Sequence, residues 1–405
     1  MVFTAAPPAE LKRQIGVRGA AGAARAAGPH RDDTWLSWRL AIAVALVLLM
    51  LTVGTLPREL RIRQTAAPYA FHLVDWLLGR LDERSGHIGA GLLGLRADLD
   101  RDGRAAVTAY FGATGAGRER WRGDAEDAIE RALTSALVDA GFGAGAPWAD
   151  RGRIVFPPAS FTFVAPPRVL VVSPRARIGT SQAELLRPGL SDDDAATLES
   201  MVDDSDVVSL VVSTGGLATY PTMVLEGSRP SAALAAVAHE WSHGYLFFSP
   251  LGLRYWSSSE ARAINETAAE MVGQELGAVL LRELGFGDVP PPPGPVARGR
   301  DREFGTILRA TRIEVERLLA LGQIEAAEAL MRGRRDELAA LGFEVRKLNQ
   351  AYFAFYGSYG DAAAGASPIP AQLRQLRAES ASVAQFLRRV GELTGAADLT
   401  RALDG

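Results

Sequence analysis

The chain has 405 residues, of which 48% are hydrophobic and 22% charged, so it can bury at least one sizeable core. Its formal net charge of -3 excludes the basic excess by which a whole chain binds nucleic acid phosphates, and we expect no nucleic acid partner. The chain contains no cysteine, which excludes thiol nucleophiles, disulfides and thiolate metal sites. Any metal ion must therefore be held by His, Asp or Glu.

The N-terminal part combines a polar tail with one long apolar run. Residues 1–34 are rich in Ala, Gly and Arg without a sustained period, which predicts a disordered tail. Residues 40–56 carry no charge and, at about 1.5 Å of helical rise per residue, nearly cross a hydrocarbon layer of about 30 Å. We therefore predict a transmembrane signal anchor over residues 35–57, with Trp35 and Trp38 at one membrane interface.

The apolar run has two competing interpretations, a buried core helix and a cleavable signal peptide. It lacks the polar stripe of a core helix, and its long leading segment and the lack of a clear A-x-A site do not fit a signal peptide. More basic residues precede the run than follow it, which favours a cytoplasmic N-terminus. The predicted location is the cell membrane, crossed once, with the C-terminal part outside the cytoplasm.

Residues 58–150 are predicted to form a helical lead-in region, because apolar positions recur at helical spacing there. Part of this region resembles the start of a calcium loop: Asp98, Asp100, Asp102 and Gly103. The twelfth position of such a loop is Ala109, where a bidentate Glu is needed. We therefore expect a solvated turn rather than a calcium site.

From residue 151 onward the pattern predicts a domain of the α+β class. Apolar runs typical of strands occur near residues 153 and 161 and at residues 169–172 and 207–213. Between the last two runs we predict a helix with Ser191 as its N-cap. After residue 228 almost every segment is helical, with a stiff Pro-rich connection at residues 290–295. We expect one domain over residues 151–405, a small sheet followed by a mostly helical half.

Residues 231–248 are predicted to be a helix and contain an H-E-x-x-H motif. His239 and His243 lie on one face of such a helix, so both imidazoles can bind one metal ion. Glu240 flanks that face, where a carboxylate can act as a general base. The competing interpretation is a pair of structural histidines with Glu240 on a solvated face. The Ala-rich, apolar surroundings instead indicate a buried helix, in which such a pair is costly without a cation.

A second helix, predicted to begin after Ser257 to Ser259, supplies two carboxylates. Glu266 and Glu270 lie one turn apart on it and offer a third oxygen ligand and one spare carboxylate. Two imidazoles, one carboxylate and an open fourth position are typical of catalytic zinc. We therefore expect Zn²⁺ as the cofactor.

The H-E-x-x-H motif, followed by N-E-x-x-A-E at residues 265–270, resembles the gluzincin clan of zinc metallopeptidases, which includes the thermolysin-like families. The resemblance covers residues 236–270. It implies that Glu266 is the third metal ligand and that Glu270 accepts a hydrogen bond from the outer nitrogen of a ligand histidine. It also implies that the extended segment at residues 215–224 forms a sheet edge along the substrate cleft, with an ordinary edge strand as the alternative.

The resemblance further implies an oxyanion-stabilising Tyr or His from the helical half, and no histidine follows His243. A helical stripe of polar and aromatic side chains supplies candidates: Asn349, Tyr352, Tyr356 and Tyr359. We take Tyr352 and Tyr356 as candidate oxyanion stabilisers, with Arg346 as a further candidate. The alternative is that these tyrosines pack between core and surface.

The sequence thus predicts a membrane-anchored zinc metallopeptidase that hydrolyses a peptide or protein substrate by zinc-activated water, with Glu240 as the general base. Endopeptidase and aminopeptidase action both stay open. The main alternative is a catalytically inactive, membrane-tethered binding or scaffold protein with the same fold. An intramembrane peptidase with several spans is a third alternative, which the single predicted span disfavours.

Overall fold

The computed structural model describes residues 57–80, 99–145, 153–287, 299–357 and 367–404. They form an α+β fold, in agreement with the predicted class, and the part from Arg58 onward belongs to one compact unit. The predicted tail at residues 1–34 and the Pro-rich connection at residues 290–295 lie outside the described residues.

The transmembrane helix that we predicted as part of this fold class is not supported. Within the described ranges, no helix is long and apolar enough to cross a membrane. The longest of these helices, Ser259–Glu283, has 25 residues but carries charged side chains along its length. The fold class is therefore corrected to α+β with no membrane-spanning helix among the described residues, and the same finding contradicts the predicted single-pass membrane localisation. The segment assigned to the anchor, residues 35–57, lies outside the described residues except at its last position.

Helices precede the sheets in the chain. They are α1 (Arg58–Ala66), α2 (Arg101–Gly112) and α3 (Ala116–Asp139), and residues 73–80 are also helical. Helix α2 begins where we expected a solvated turn. The carboxylate of Asp100 is its N-cap and accepts a hydrogen bond from the Gly103 backbone N–H at 2.7 Å. The acidic segment that resembles a calcium loop therefore includes the start of a helix.

In the described part of the chain, three small sheets follow. Their strands are β1 (Ala144–Gly145), β2 (Arg153–Ile154), β3 (Phe161–Val164), β4 (Arg168–Pro174), β5 (Gln182–Leu186), β6 (Val207–Val212), β7 (Gly216–Leu217) and β8 (Thr222–Leu225). Strands β1 and β2 pair antiparallel, and β4 lies antiparallel between β5 and β6. Strand β8 lies between β3, which is parallel to it, and β7, which is antiparallel. Helix α4 (Asp192–Val202) connects β5 to β6 and has the predicted N-cap, Ser191.

The C-terminal half of the described chain is helical. Its helices are α5 (Pro230–Leu246), α6 (Pro250–Leu253), α7 (Ser259–Glu283), α8 (Gly299–Ala320), α9 (Ile324–Ala340), α10 (Gln350–Tyr356), α11 (Ile369–Ala378), α12 (Val383–Gly391) and α13 (Ala396–Asp404). Pro230 begins α5, at a position where its missing N–H costs no hydrogen bond. The largest apolar core forms around α5 and α7 and includes side chains of α3, β3 and the last three helices.

The sheet of β4, β5 and β6 is covered on both faces. Leu170 and Val172 of β4 belong to an apolar cluster with α1 and α4, whereas Val171 belongs to a cluster with α10. This alternation is the period of two expected when both faces of a strand are buried. The sheet therefore stands between α10 on one face and α1 and α4 on the other.

Helix α3 completes the outer edge of β3 with two carboxylates. Glu126 and Glu130 accept hydrogen bonds from the backbone N–H groups of Phe163 and Phe161, at 2.7 and 2.8 Å. These carboxylates replace a neighbouring strand, so that the buried N–H groups of the edge are satisfied. In the same way, Glu199 of α4 and Asp203, which directly follows α4, accept hydrogen bonds from backbone N–H groups of β6. Both sheets are thus fixed to helices by side-chain hydrogen bonds as well as by apolar contacts.

Helices α5 and α7 approach each other closely through two glycines of α7. A Cβ atom on Gly277 would lie 2.8 Å from Ala235 Cα, and one on Gly273 would lie 3.0 Å from His239 Cβ. A side chain at either position would require the helices to move apart, because interiors are close-packed. The two glycines therefore allow the carboxylates of α7 to reach the histidines of α5.

Candidate metal centre

The imidazoles of His239 and His243 face each other one turn apart on α5. Their Nε2 atoms are 3.0 Å apart, and their ring planes meet at 82°. Both side chains are mostly buried, with 13% of each exposed. The i, i+4 spacing on a helix thus brings the two ring nitrogens to one point.

Helix α7 contributes Glu266 to the same point. Its Oε2 atom lies 3.6 Å from His239 Nε2 and 3.5 Å from His243 Nε2. This oxygen is buried and has no hydrogen-bond partner among the described residues. A buried carboxylate oxygen without a donor is costly, so a cation at this point would complete its environment.

The outer ring nitrogens of both histidines face hydrogen-bond acceptors. His243 Nδ1 lies 2.7 Å from Asn265 Oδ1, and His239 Nδ1 lies 3.5 Å from Glu270 Oε2. Each acceptor favours a proton on Nδ1, so the neutral rings present lone pairs at Nε2. The Gln274 amide donates to Glu270 Oε1 at 2.7 Å and holds that carboxylate in place.

With Nδ1 protonated on both neutral rings, three atoms that carry lone pairs converge: His239 Nε2, His243 Nε2 and Glu266 Oε2. Their separations of 3.0, 3.5 and 3.6 Å are close to the ~3.3 Å between two ligand atoms that each lie ~2.0–2.1 Å from a tetrahedral ion. The donor types, two imidazoles and one carboxylate, also fit a divalent ion. This group could therefore hold a metal ion.

The electrostatics of the group favour positive charge at the same point. Burial lowers the pKa of His239, but the carboxylates of Glu266 and Glu270 raise it by more, to about 10. Burial also opposes the charged form of Glu266, and the two histidines nevertheless hold the pKa of that carboxyl well below its usual range. Without a metal ion, bound protons would supply the positive charge that a divalent ion supplies when it binds.

Glu240 of α5 lies beside the group and against the edge strand β7. It is 9% exposed, and burial raises the pKa of its carboxyl although the two histidines lower it. A Cβ atom on Gly216 would lie 2.6 Å from Glu240 Oε1, so the missing side chain at Gly216 leaves space for this carboxylate. A carboxylate with a raised pKa can accept and return a proton near neutral pH.

The hydroxyl of Tyr255 donates a hydrogen bond to Glu266 Oε1. Tyr255 lies between α6 and α7, and its ring centroid is 6.0 Å from that of His243 in an edge-on arrangement. Because the hydroxyl binds Oε1, the other carboxylate oxygen remains to face the two histidines. Tyr255 is therefore part of the candidate site.

The structure brings together five residues that the sequence had singled out: His239, Glu240, His243, Glu266 and Glu270. Sequence reasoning missed Asn265 and Tyr255. Asn265 directly precedes Glu266 and was visible in the motif, but its contact with His243 depends on how α5 and α7 dock. Tyr255 lies in an irregular segment, where no spacing pattern indicates a role.

Tyr352 and Tyr356 lie on α10. Their ring centroids are 4.6 Å apart, and they pack against side chains of β4 and β6. Burial raises the pKa of both hydroxyls. Arg346 forms an ion pair with Glu199, and Tyr359 lies outside the described residues. The structure thus places both tyrosines in the packing of a sheet and Arg346 in an ion pair, and their role as oxyanion stabilisers stays a prediction.

In comparisons with known proteins, no family model, no curated protein and no solved structure matches the chain. The geometry itself shows a mostly buried group of two histidines and one glutamate that could hold a metal ion.

Proposed function

We propose that this chain is a zinc metallopeptidase whose site is of the gluzincin type. The observation that carries the proposal is the convergence of three metal-binding atoms beside a buried carboxylate, that of Glu240. A purely structural histidine pair would need neither an unpartnered Glu266 Oε2 nor an acceptor on each outer nitrogen. Such an arrangement is typical of a site built for a metal ion.

Zinc is the metal that this ligand set favours. Two imidazoles and one carboxylate with an open position are typical of catalytic zinc, and the chain has no cysteine to offer a thiolate. Asn265 and Glu270 support the assignment, because metal-binding histidines commonly donate their other N–H to such acceptors. Bound zinc would supply a Lewis acid that polarises a carbonyl and lowers the pKa of water.

The proton transfers belong to the chain's own residues. Glu240 accepts the proton of the attacking water and returns it to the leaving amine, and burial raises its pKa toward the neutral range where both transfers are effective. His239, His243 and Glu266 would hold the metal, and Tyr255 keeps Glu266 Oε1 in place. The partial exposure of the two histidines leaves access for a substrate.

The position of β7 supports an extended polypeptide as the substrate. Within the described sheet, β7 pairs with β8 on one side only. The other edge can pair with the main chain of an extended peptide. Because Gly216 of β7 lies against Glu240, a peptide bound along this edge would pass the general base.

Metal analysis combined with a peptide-library cleavage profile tests the proposal. We expect about one zinc per chain and hydrolysis of peptide bonds by the zinc-loaded protein, both lost in His243→Ala. His72→Ala, which changes an exposed histidine outside the site, is the matched control and should keep both. Zinc binding without hydrolysis in the wild type would favour an inactive binding protein. A wild type that binds no metal would contradict the proposal.

A further inference from the structure

The surface next to the metal group exposes a set of large hydrophobic side chains. Five of them are between 56% and 75% exposed: Phe156, Phe247, Phe248, Leu253 and Trp256. We call these five residues the apolar patch. Single exposed hydrophobic residues are ordinary on protein surfaces, whereas a contiguous group of this kind marks a binding surface.

The three phenylalanines of the apolar patch lie next to one another. The ring centroids of Phe247 and Phe248 are 5.2 Å apart, and those of Phe248 and Phe156 are 5.4 Å apart. Gly252, which directly precedes Leu253, lies close to Phe247: a Cβ atom on this glycine would lie 2.7 Å from Phe247 Cα. The three phenylalanines are therefore continuous, and the backbone of α6 that carries Leu253 lies against Phe247.

The apolar patch begins at the metal group itself. Phe247 follows His243 by one helical turn, and its backbone N–H donates to the His243 carbonyl at 2.9 Å. The ring centroid of Trp256 is 4.9 Å from that of Tyr255, whose hydroxyl binds Glu266. A polymer bound at the two histidines could therefore extend over the apolar patch without leaving the protein surface.

We propose that the apolar patch binds a run of apolar residues in an extended polypeptide, a few residues from the bond that is cleaved. The inference rests on the proposed function and adds a substrate class to it: unfolded or flexible chains that expose apolar runs. One helical turn and two ring-to-ring steps separate His243 from Phe156. That path corresponds to at most about five residues of extended chain at ~3.3 Å each.

Two features favour an extended polypeptide as the occupant. The one-sided edge of β7 lies at Glu240 and can align a main chain beside the same site. The two aromatic rings nearest the site already have a partner within the protein, because the Arg262 guanidinium stands 5.5 Å from the Tyr255 ring centroid and 5.8 Å from that of Trp256. A surface that is ordered before binding loses little side-chain freedom when an apolar segment covers it.

Matched peptides test the inference. The two peptides of each pair share one central peptide bond that is offered to the zinc-loaded protein for cleavage. One peptide carries three apolar residues and the other three small polar residues, about three to five positions from that bond, on either side. We expect kcat/KM to be at least about tenfold higher for the apolar peptide on one side of the bond. In the double variant with Phe248→Gln and Leu253→Gln, this preference should fall to within about twofold while hydrolysis of the polar peptide is unchanged.

The substituted side chains are exposed, so the fold should tolerate both changes. The matched control is Ile313→Gln with Leu321→Gln, which removes two other exposed hydrophobic side chains, 54% and 59% accessible, outside the apolar patch. This control should keep the full preference for the apolar peptide.

Hydrolysis without a preference, or a preference that the double variant keeps, overturns the inference and leaves the proposed function standing. If the wild type cleaves neither peptide, the proposed function fails, and calorimetric binding of the apolar peptide decides the inference by itself. Binding that is absent, or equal in wild type and double variant, then overturns it. If sedimentation shows that the wild type self-associates and that the double variant does not, the apolar patch is an interface between copies of this chain. That result would also overturn the inference.

Discussion

Tyr255 and Glu266 are joined by a hydrogen bond from the tyrosine hydroxyl to Oε1, while Glu266 Oε2 faces two histidines. The two oxygens of one carboxylate thus have different partners. Only one carboxylate oxygen therefore faces the metal position, and the hydrogen bond to the other oxygen fixes the orientation of the carboxylate. A hydrogen bond of this kind tunes a metal site without touching the metal.

Replacing Tyr255 by Phe should weaken metal binding without abolishing it. The substitution leaves Glu266 Oε1 buried without its donor, and the carboxylate can rotate away from the histidines. We expect the affinity for zinc to fall about 10- to 100-fold, the usual cost of removing a group that holds a ligand in place. Competition with a chelator of known affinity, at fixed pH, measures the change.

Tyr352→Phe is the matched control for this prediction. It removes the same atom from a tyrosine of α10 that packs against the β4–β6 sheet. Zinc affinity and peptide hydrolysis should both stay within about twofold of the wild type, since no group near the metal changes. A loss of hydrolysis in Tyr352→Phe with zinc still bound would restore this residue as an oxyanion stabiliser.

Gly277→Ala should destabilise the protein although alanine is the better helix former. The added Cβ would lie 2.8 Å from Ala235 Cα, and backbone cannot yield as a flexible side chain can. We expect the free energy of unfolding to fall by about 1–3 kcal/mol, the usual cost of overpacking. Zinc affinity should fall as well, because α5 and α7 must separate. Denaturant unfolding of the zinc-loaded protein measures the first effect.

Gly333→Ala is the matched control on α9. No atom lies within 4 Å of the position that its Cβ would occupy. The substitution should stabilise the protein by about 0.5–1 kcal/mol through helix propensity alone. Equal effects of the two substitutions would show that the close approach of α5 and α7 is not what constrains Gly277.

Zinc binding should release protons at neutral pH. In the metal-free protein the neighbouring carboxylates raise the pKa of His239 to about 10, so this histidine is protonated at pH 7 and must lose its proton to bind a metal. Affinity should therefore increase with pH, by up to about tenfold per pH unit for each proton displaced. Calorimetry in buffers of different ionisation enthalpy measures the release, and a buffer-independent binding enthalpy would contradict it.

The same pKa makes the stability of the metal-free protein depend on pH. Folding raises the pKa of His239 above its ordinary value of 6.5, to about 10. The contribution of this histidine to the free energy of unfolding is therefore fully present below pH 6.5 and is lost as the pH rises through about 10. Between pH 6.5 and pH 10, chelator-treated wild type should therefore lose more stability than chelator-treated His239→Ala. Urea unfolding at both pH values compares them, and parallel losses would refute the raised pKa.

Local features of the fold could be predicted wherever the residues that produce them lie within a single helix or strand. Ser191 accepts a hydrogen bond from the Asp194 backbone N–H at 3.0 Å, as its place before an acidic first turn indicates. His239 and His243 likewise converge because helical spacing alone brings them together. Features of this kind require no knowledge of how distant segments dock.

Features that depend on docking could not be predicted. The contact of Asn265 with His243 exists only because Gly273 and Gly277 let two helices approach closely, and no pattern within either helix shows that approach. The packing of Tyr352 also depends on docking: its helical spacing is real, but its partners lie on a sheet formed by distant segments, and its role as an oxyanion stabiliser stays a prediction. The transmembrane prediction rested on the hydropathy of one segment and on the residues that flank it, and it is corrected by the absence of a spanning helix among the described residues.

The substitution Glu240→Gln tests the central claim most directly. It keeps the size of the side chain beside Gly216 and leaves His239, His243 and Glu266 unchanged, but it removes the basic carboxylate. Zinc content should equal that of the wild type, and the fold should be at least as stable, because a buried charge has been neutralised. Peptide hydrolysis should fall by about 10²- to 10⁴-fold, as expected when a general base is lost. Equal hydrolysis by the zinc-loaded wild type and variant would contradict the account.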